Sequence, residues 1–184
     1  MTPFITFYTP TYRRPQALAR NLASVQAQTC VRDIEQIVIP DHVGLGVGGM
    51  FSRVPDYAGA VHGRYVAFLC DDDVLAGPSV VAELQGAAEA EGYPELLVVQ
   101  TNKGGAVWPS GDAWPPRMGS IDLNCAVVRR DVWLAHVQHY GHRYEGDYDF
   151  MHALWVSGVY AVPVDLLLTI GAVSRGVAEV ACVD

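Results

Sequence analysis

The segment Gly63-Arg-Tyr-Val-Ala-Phe-Leu-Cys70 carries apolar side chains on both faces of any strand it forms, and it runs directly into Asp71, Asp72 and Asp73. Alternate residues of a strand point to opposite sides of a sheet, so a strand without a polar face belongs inside a sheet covered on both sides. That requirement selects an α/β domain with a mostly parallel central sheet flanked by helices. A length of 184 residues suits one such domain with one sizeable core.

The flanking sequence alternates in the same sense. Phe4 to Thr9 predicts a first strand, and Pro15 opens a helix with Leu18, Leu22 and Val25 on one face. Ile34 to Ile39 predicts a second strand, followed by Asp41, a glycine-rich passage from Gly44 to Gly49 and a short helix around Phe51 to Val61. Pro78 marks the first turn of a helix whose stripe is Val80, Val81, Leu84 and Ala88 and which Gly92 stops. Leu96 to Gln100 reads as a further strand, Ile121 to Val128 as another, and Val159 to Leu168 as short closing strands. Asp131 to Tyr140 and Asp147 to Val156 read as helices, and the aperiodic passage from Lys103 to Gly119, rich in Gly, Pro and Trp, as a lid.

Composition narrows the function. With 51% hydrophobic and 17% charged residues, neither a disordered chain nor a coiled coil fits. A formal charge of -8 repels phosphate backbones, so nucleic acid is a disfavoured partner. The longest apolar stretches, Tyr65 to Cys70 and Val162 to Ile170, fall well short of the roughly 20 residues of a spanning helix. Met1 to Tyr12 has neither the basic start nor the cleavage site of a signal peptide. Cys30, Cys70, Cys125 and Cys182 are widely separated, as suits reduced thiols in a cytoplasmic protein.

Open α/β sheets bind ligands at the carboxyl ends of their strands, which is where the acidic triplet stands. If the backbone stays extended there, Asp71 and Asp73 share a face and Asp72 takes the other. Hard oxygen ligands attract Mg²⁺ or Mn²⁺, which commonly bridge one or two carboxylates to a diphosphate. The plainer alternative is that the acids cap the helix beginning near Pro78.

Four motifs in order, Thr9-Pro-Thr-Tyr12, Asp41, the run from Gly63 to Asp73, and Glu145-Gly-Asp-Tyr-Asp-Phe150, resemble family 2 glycosyltransferases of the GT-A fold over about residues 4 to 157. The resemblance implies a GT-A-like domain, with residues 1–100 as its nucleotide-binding half and 101–184 as its acceptor-side half. It implies that Thr9, Thr11, Tyr12, Arg14, Asp41, Asp71 and Asp72 hold a nucleoside diphosphate sugar, uridine-linked, and that Asp73 with Asp71 holds Mn²⁺ or Mg²⁺. Asp147 stands for the general base, with Glu145 and Asp149 as alternatives, since the family's Glu-Asp pair appears here as Gly146-Asp147. The implied reaction is inverting transfer to an acceptor hydroxyl, which a glycan, a lipid, a protein, a metabolite or a modified nucleobase can offer.

Other features admit other readings. Gly44-x-Gly46-x-x-Gly49 after a strand, with Asp71 downstream, matches the fingerprint of an NAD(P)-dependent oxidoreductase. A non-catalytic module binding sugar nucleotides or glycans is a further alternative. Trp108 and Trp114 either stack on a sugar or anchor their loop, Arg13 and Arg175 are candidates for the phosphates beside Arg14, and His136, His139 and His142 suit a helix end better than zinc.

Overall fold

In a computed structural model, residues 2–109 and 114–171 are described. The strands are β1 (Ile5–Thr11), β2 (Ile34–Pro40), β3 (Tyr65–Phe68), β4 (Asp73–Leu75), β5 (Leu96–Lys103), β6 (Ala106–Trp108), β7 (Ala126–Arg129) and β8 (Ala161–Gly171). The helices are α1 (Pro15–Gln26), α2 (Gly46–Arg53), α3 (Val80–Ala90), α4 (Arg130–His136) and α5 (Gly146–Val156). One sheet runs in the order β2-β1-β3-β7-β5-β8-β4, with β6 paired to β5.

β3 sits between β1 and β7 with all its residues buried, the central place its two apolar faces require. Val66 and Phe68 enter a core beneath α2, α4 and α5, where Phe51, Trp133, Phe150 and Leu154 pack. Tyr65 and Ala67 enter the opposite core, with Val25 of α1 and Val81 and Leu84 of α3. Each large side chain so buried contributes about 1.5–3 kcal/mol. The long registers are parallel, with β1 against β2 and β3 and β5 against β8. The antiparallel pairings β3/β7, β4/β8, β5/β6 and β5/β7 are shorter.

Several boundaries differ from the expectation. The lid begins as a hairpin, because Gly104 and Gly105 take φ of 59° and 95° and turn β5 into β6. Helix formation starts inside the glycine passage, at Gly46, and Val54–Ala60 continues as a 3-10 turn. Ile121 to Val128 divides into a 3-10 turn at Leu123–Cys125 and the short β7, and the closing strands are one long strand, β8.

α1 is the most instructive difference. Its fully buried side chains are Asn21 and Val25, with Gln28 just beyond its end, while Leu18 and Leu22 are only half-buried. The reason lies opposite: the segment from Cys70 to Val81 presents backbone groups that need partners. Asn21 Nδ2 donates to the Cys70 and Asp73 carbonyls, Ser24 Oγ accepts from Leu75 N–H, and Gln28 bonds Gly77 O and Val81 N–H. No helix among the described residues is long and apolar enough to cross a membrane.

Candidate functional site

The carboxyl ends of β1, β2 and β3 meet. Asp41 N–H donates to Thr11 O at 2.8 Å, and Thr11 Oγ1 donates to Asp71 Oδ2 at 2.8 Å. Tyr12 lies against Gly44, where φ is 82° and an added Cβ would come within 2.7 Å of the Tyr12 hydroxyl, so glycine is required. Thr11, Tyr12, Asp41 and Asp71 thus share one shelf. Asp41 spends its carboxylate on the loop: Val43, Gly44 and Leu45 N–H donate to it, and against desolvation, the largest single influence, these bonds together with Arg53 lower its pKa. Thr9 is fully buried beneath the shelf, accepting from Gln36 Nε2 at 2.8 Å.

The acidic triplet is a turn rather than an extended end, closed by Asp73 N–H donating to Cys70 O at 2.9 Å. In consequence Asp71 and Asp72 go together, sharing Arg14 Nη1 at 3.2 and 3.0 Å, and Asp73 parts from them. Burial, aided by Asp72, raises the Asp71 pKa against Thr11 and Arg14. The triplet does not cap α3, whose N-cap is Ser79.

Asp73 is fully buried. Its Oδ2 accepts from Lys103 Nζ at 2.5 Å and from Asn124 Nδ2, and its Oδ1 has no hydrogen-bond partner among the described residues. A side chain at Gly171 would collide with that oxygen. Burial raises the Asp73 pKa and Lys103 partly offsets it; Lys103 itself is raised, since Cys70, Asp122 and Asp73 outweigh its own desolvation. Lys103 is the sole lysine of the chain.

Toward the other half, Lys103 Nζ lies 4.0 Å from Asp122 Oδ1, which accepts Asn124 N–H at 3.0 Å. Asp122 in turn acts on Asp147, in the first turn of α5. Burial first, then the negative charges of Asp122 and Asp149, push Asp147 up to about 6 against the Tyr148 N–H bond. Asp147 has no salt bridge among the described residues. Asp149 is held by Arg143 at 2.9 and 2.5 Å and its pKa falls. Glu145 is the N-cap residue of α5. Gly146 leaves no room for a side chain: a Cβ there would stand 2.5 Å from Gly141 O and 2.7 Å from the Phe51 ring.

Sequence reasoning missed Asn21, Gln36, Lys103, Asp122 and Asn124 as parts of this site. Trp108 and Trp114 pack partly buried against the core, in the anchoring role. Arg13 has its guanidinium 5.1 Å from the Tyr12 ring centroid. Arg175 lies outside the described residues, as do the lid's residues 110–113. The glycine motif follows β2 at the sheet's edge, whereas the first strand-to-helix turn, where a dinucleotide fingerprint belongs, contains no glycine.

The acids of the turn differ in what they could offer Mg²⁺ or Mn²⁺. Asp73 offers little, because an ammonium group already covers one oxygen and the other is enclosed. Asp72 fits: it is partly exposed, and only its Oδ2 is hydrogen-bonded among the described residues. Among those residues no group of three or more His, Cys, Asp or Glu is placed to hold a metal ion.

No family model and no curated protein sequence matches the chain. Solved structures do share its fold. TarS 1–349 of S. aureus in complex with UDP superposes with a TM-score of 0.71 at 12% identity, covering 92% of this chain and 60% of that one. The same protein in complex with UDP-GlcNAc gives 0.68 at 12% identity, covering 98% and 61%. The mannosyltransferase PcManGT from Pyrobaculum calidifontis, in complex with GDP-Man and Mn²⁺, gives 0.61 at 10% identity, covering 97% and 59%. The GT-A-like architecture expected from the motifs is therefore the fold of this chain, which spans about 60% of the length of these neighbours.

Proposed function

We propose that this chain is an inverting glycosyltransferase that moves a monosaccharide from a nucleoside diphosphate sugar, uridine-linked, to an acceptor hydroxyl. One observation carries the reading: Asp147 is a desolvated carboxyl without a cationic partner among the described residues, and Asp122, whose charge acts on it, lies 4.0 Å from the Lys103 that pairs with Asp73 in a turn of acids at the carboxyl ends of parallel strands. A base must be ionised at working pH yet still attract a proton, and a pKa of about 6 meets both demands.

Thr11, Tyr12 and Asp41 form the shelf for the nucleoside, with Thr9 supporting it from below. Asp71 and Asp72 face the ribose and diphosphate, and Arg14, half-exposed, orients the phosphates while balancing both acids. Mn²⁺ or Mg²⁺ would be held by Asp72 beside Asp71, with Asp73 as their anchor instead of the direct ligand. When bound, the ion would neutralise charge on the departing diphosphate. Asp147 takes the proton of the acceptor hydroxyl at Oδ2, the oxygen that Tyr148 leaves unbonded. Attack opposite the leaving group inverts the anomeric centre. The fold neighbours solved with UDP, UDP-GlcNAc and GDP-Man with Mn²⁺ support the donor class.

The test is a panel of UDP-, GDP-, dTDP- and CDP-sugars with Mn²⁺, Mg²⁺ or chelator, read as nucleoside diphosphate release and as thermal shift. Metal-dependent release from at least one donor is expected. Stabilisation by NAD alone, without metal, would replace the reading by the oxidoreductase. Tight sugar-nucleotide binding without any turnover would leave a binding module.

A further inference from the structure

We propose that Asn21 is a positioning residue: its amide pins both ends of the acidic turn and so fixes Asp71 and Asp72 for the donor diphosphate. The inference rests on the donor reading above, and no motif in the sequence points to it. Asn21 is fully buried in the middle of α1, where a leucine would suit an amphipathic helix better.

Burying a primary amide is unfavourable unless its donors and acceptor find partners, and here they do. The two N–H groups of Nδ2 reach Cys70 O at 2.8 Å and Asp73 O at 2.9 Å, and Oδ1 accepts from Gln36 Nε2 at 2.7 Å. Carbonyl oxygens only accept, so these partners fix which end of the amide faces the turn. Gln36 is itself oriented by Thr9 Oγ1 at 2.8 Å. The amide therefore ties β1, β2, α1 and the turn into one buried network.

What it ties down matters for chemistry. Cys70 and Asp73 are the first and last residues of the turn that carries Asp71 and Asp72. Adjacent carboxylates repel, and a turn free to open would relieve that repulsion by separating them. Arg14 and Lys103 oppose opening from the side chains, whereas Asn21 does so from the backbone. Ser24, on α1, and Gln28, just beyond its end, bond across to this segment only at Leu75 and later residues. Asn21 alone among them touches the turn.

The deciding experiment compares Asn21→Ala and the milder Asn21→Ser with Val25→Ala, a buried packing change on the same helix that leaves the turn untouched. Affinity for UDP and for GDP with Mn²⁺ is measured by calorimetry, and hydrogen exchange of the Asp73 amide is measured on ligand-free protein. Both Asn21 variants should lose affinity tenfold or more and lose Asp73 protection, while Val25→Ala, even at an equal drop in Tm, stays within twofold in affinity with the amide protected. Asn21→Ser remains decisive if Asn21→Ala fails to fold. Equal affinities across the variants, or an Asp73 amide as slow as in wild type, would overturn the inference while leaving the transfer reading intact. A wild-type chain that binds neither nucleotide would overturn the donor reading and the donor role of Asn21 with it.

Discussion

This molecule carries two short acidic segments, Asp71 to Asp73 after β3 and Asp147 to Asp149 at the start of α5, and they treat charge in opposite ways. In the first, every carboxylate has a cationic neighbour: Arg14 spans Asp71 and Asp72, and Lys103 covers Asp73. In the second, Arg143 takes Asp149, and Asp147 is left desolvated with no cationic partner among the described residues. Groups that hold a polyanion must be compensated when the ligand is absent, since three bare acids would repel one another. A base, by contrast, works only if nothing positive already satisfies it. On the proposed function, the contrast suits binding at the first segment and proton transfer at the second.

The strongest attempt to break this contrast is Asp147→Asn, which keeps shape and removes basicity. Turnover should fall about 10³- to 10⁴-fold with donor affinity within about twofold, measured by initial rates and calorimetry. If donor affinity falls instead, the two segments have been assigned the wrong way round. Next in size is Lys103→Met, which leaves the buried Asp73 carboxylate unpaired and should cost about 3–4 kcal/mol of unfolding free energy. The double variant Asp73→Asn with Lys103→Met should recover most of that loss in urea titrations. If it does not, Lys103 stabilises the chain by something other than its ion pair.

The difference between the segments was only partly legible in the sequence. A strand apolar on both faces determined the α/β class and put acids at its carboxyl end, because period and burial are local properties. Asp147 was singled out through its motif, and the structure adds its burial. That Asp71 and Asp72 go together was not legible, since an extended continuation and a turn at 71–72 look alike in sequence. Nor were the partners: Lys103 lies thirty positions from Asp73 and Asn21 fifty-two, and only the packing of α1 and β5 beside the turn brings them there. A residue with a poor reason to be where it stands was the available signal. The chain's one lysine ends a strand that begins with four apolar residues, and an asparagine interrupts the buried face of a helix.

The smaller effects lie in pH dependence, where the two aspartates of α5 should move in opposite directions. Asp147 has its pKa raised from 3.8 to about 6 by burial and by Asp122, so its neutral form favours the folded state. That stability is fully present below pH 4 and is lost as pH rises toward 6. Asp147→Asn is exempt from the loss, and its Tm should exceed that of wild type by about 2 to 5 °C at pH 7.5 while matching it near pH 4. For Asp149 the Arg143 pair is the largest influence and lowers the pKa, so its stability is present above the unfolded value and is lost as pH falls through the folded one. The pair is solvent-exposed on the arginine side, which keeps the effect small. Asp149→Asn should therefore lower Tm by no more than about 2 °C at pH 7.5, with the difference vanishing in acid and turnover nearly unchanged. Scanning calorimetry of both variants from pH 3.5 to 8 measures the two slopes side by side. Slopes of the same sign would mean that burial, and not the placement of Arg143, sets the charge of the whole helix start, and Asp147 would then lose its distinction as the base.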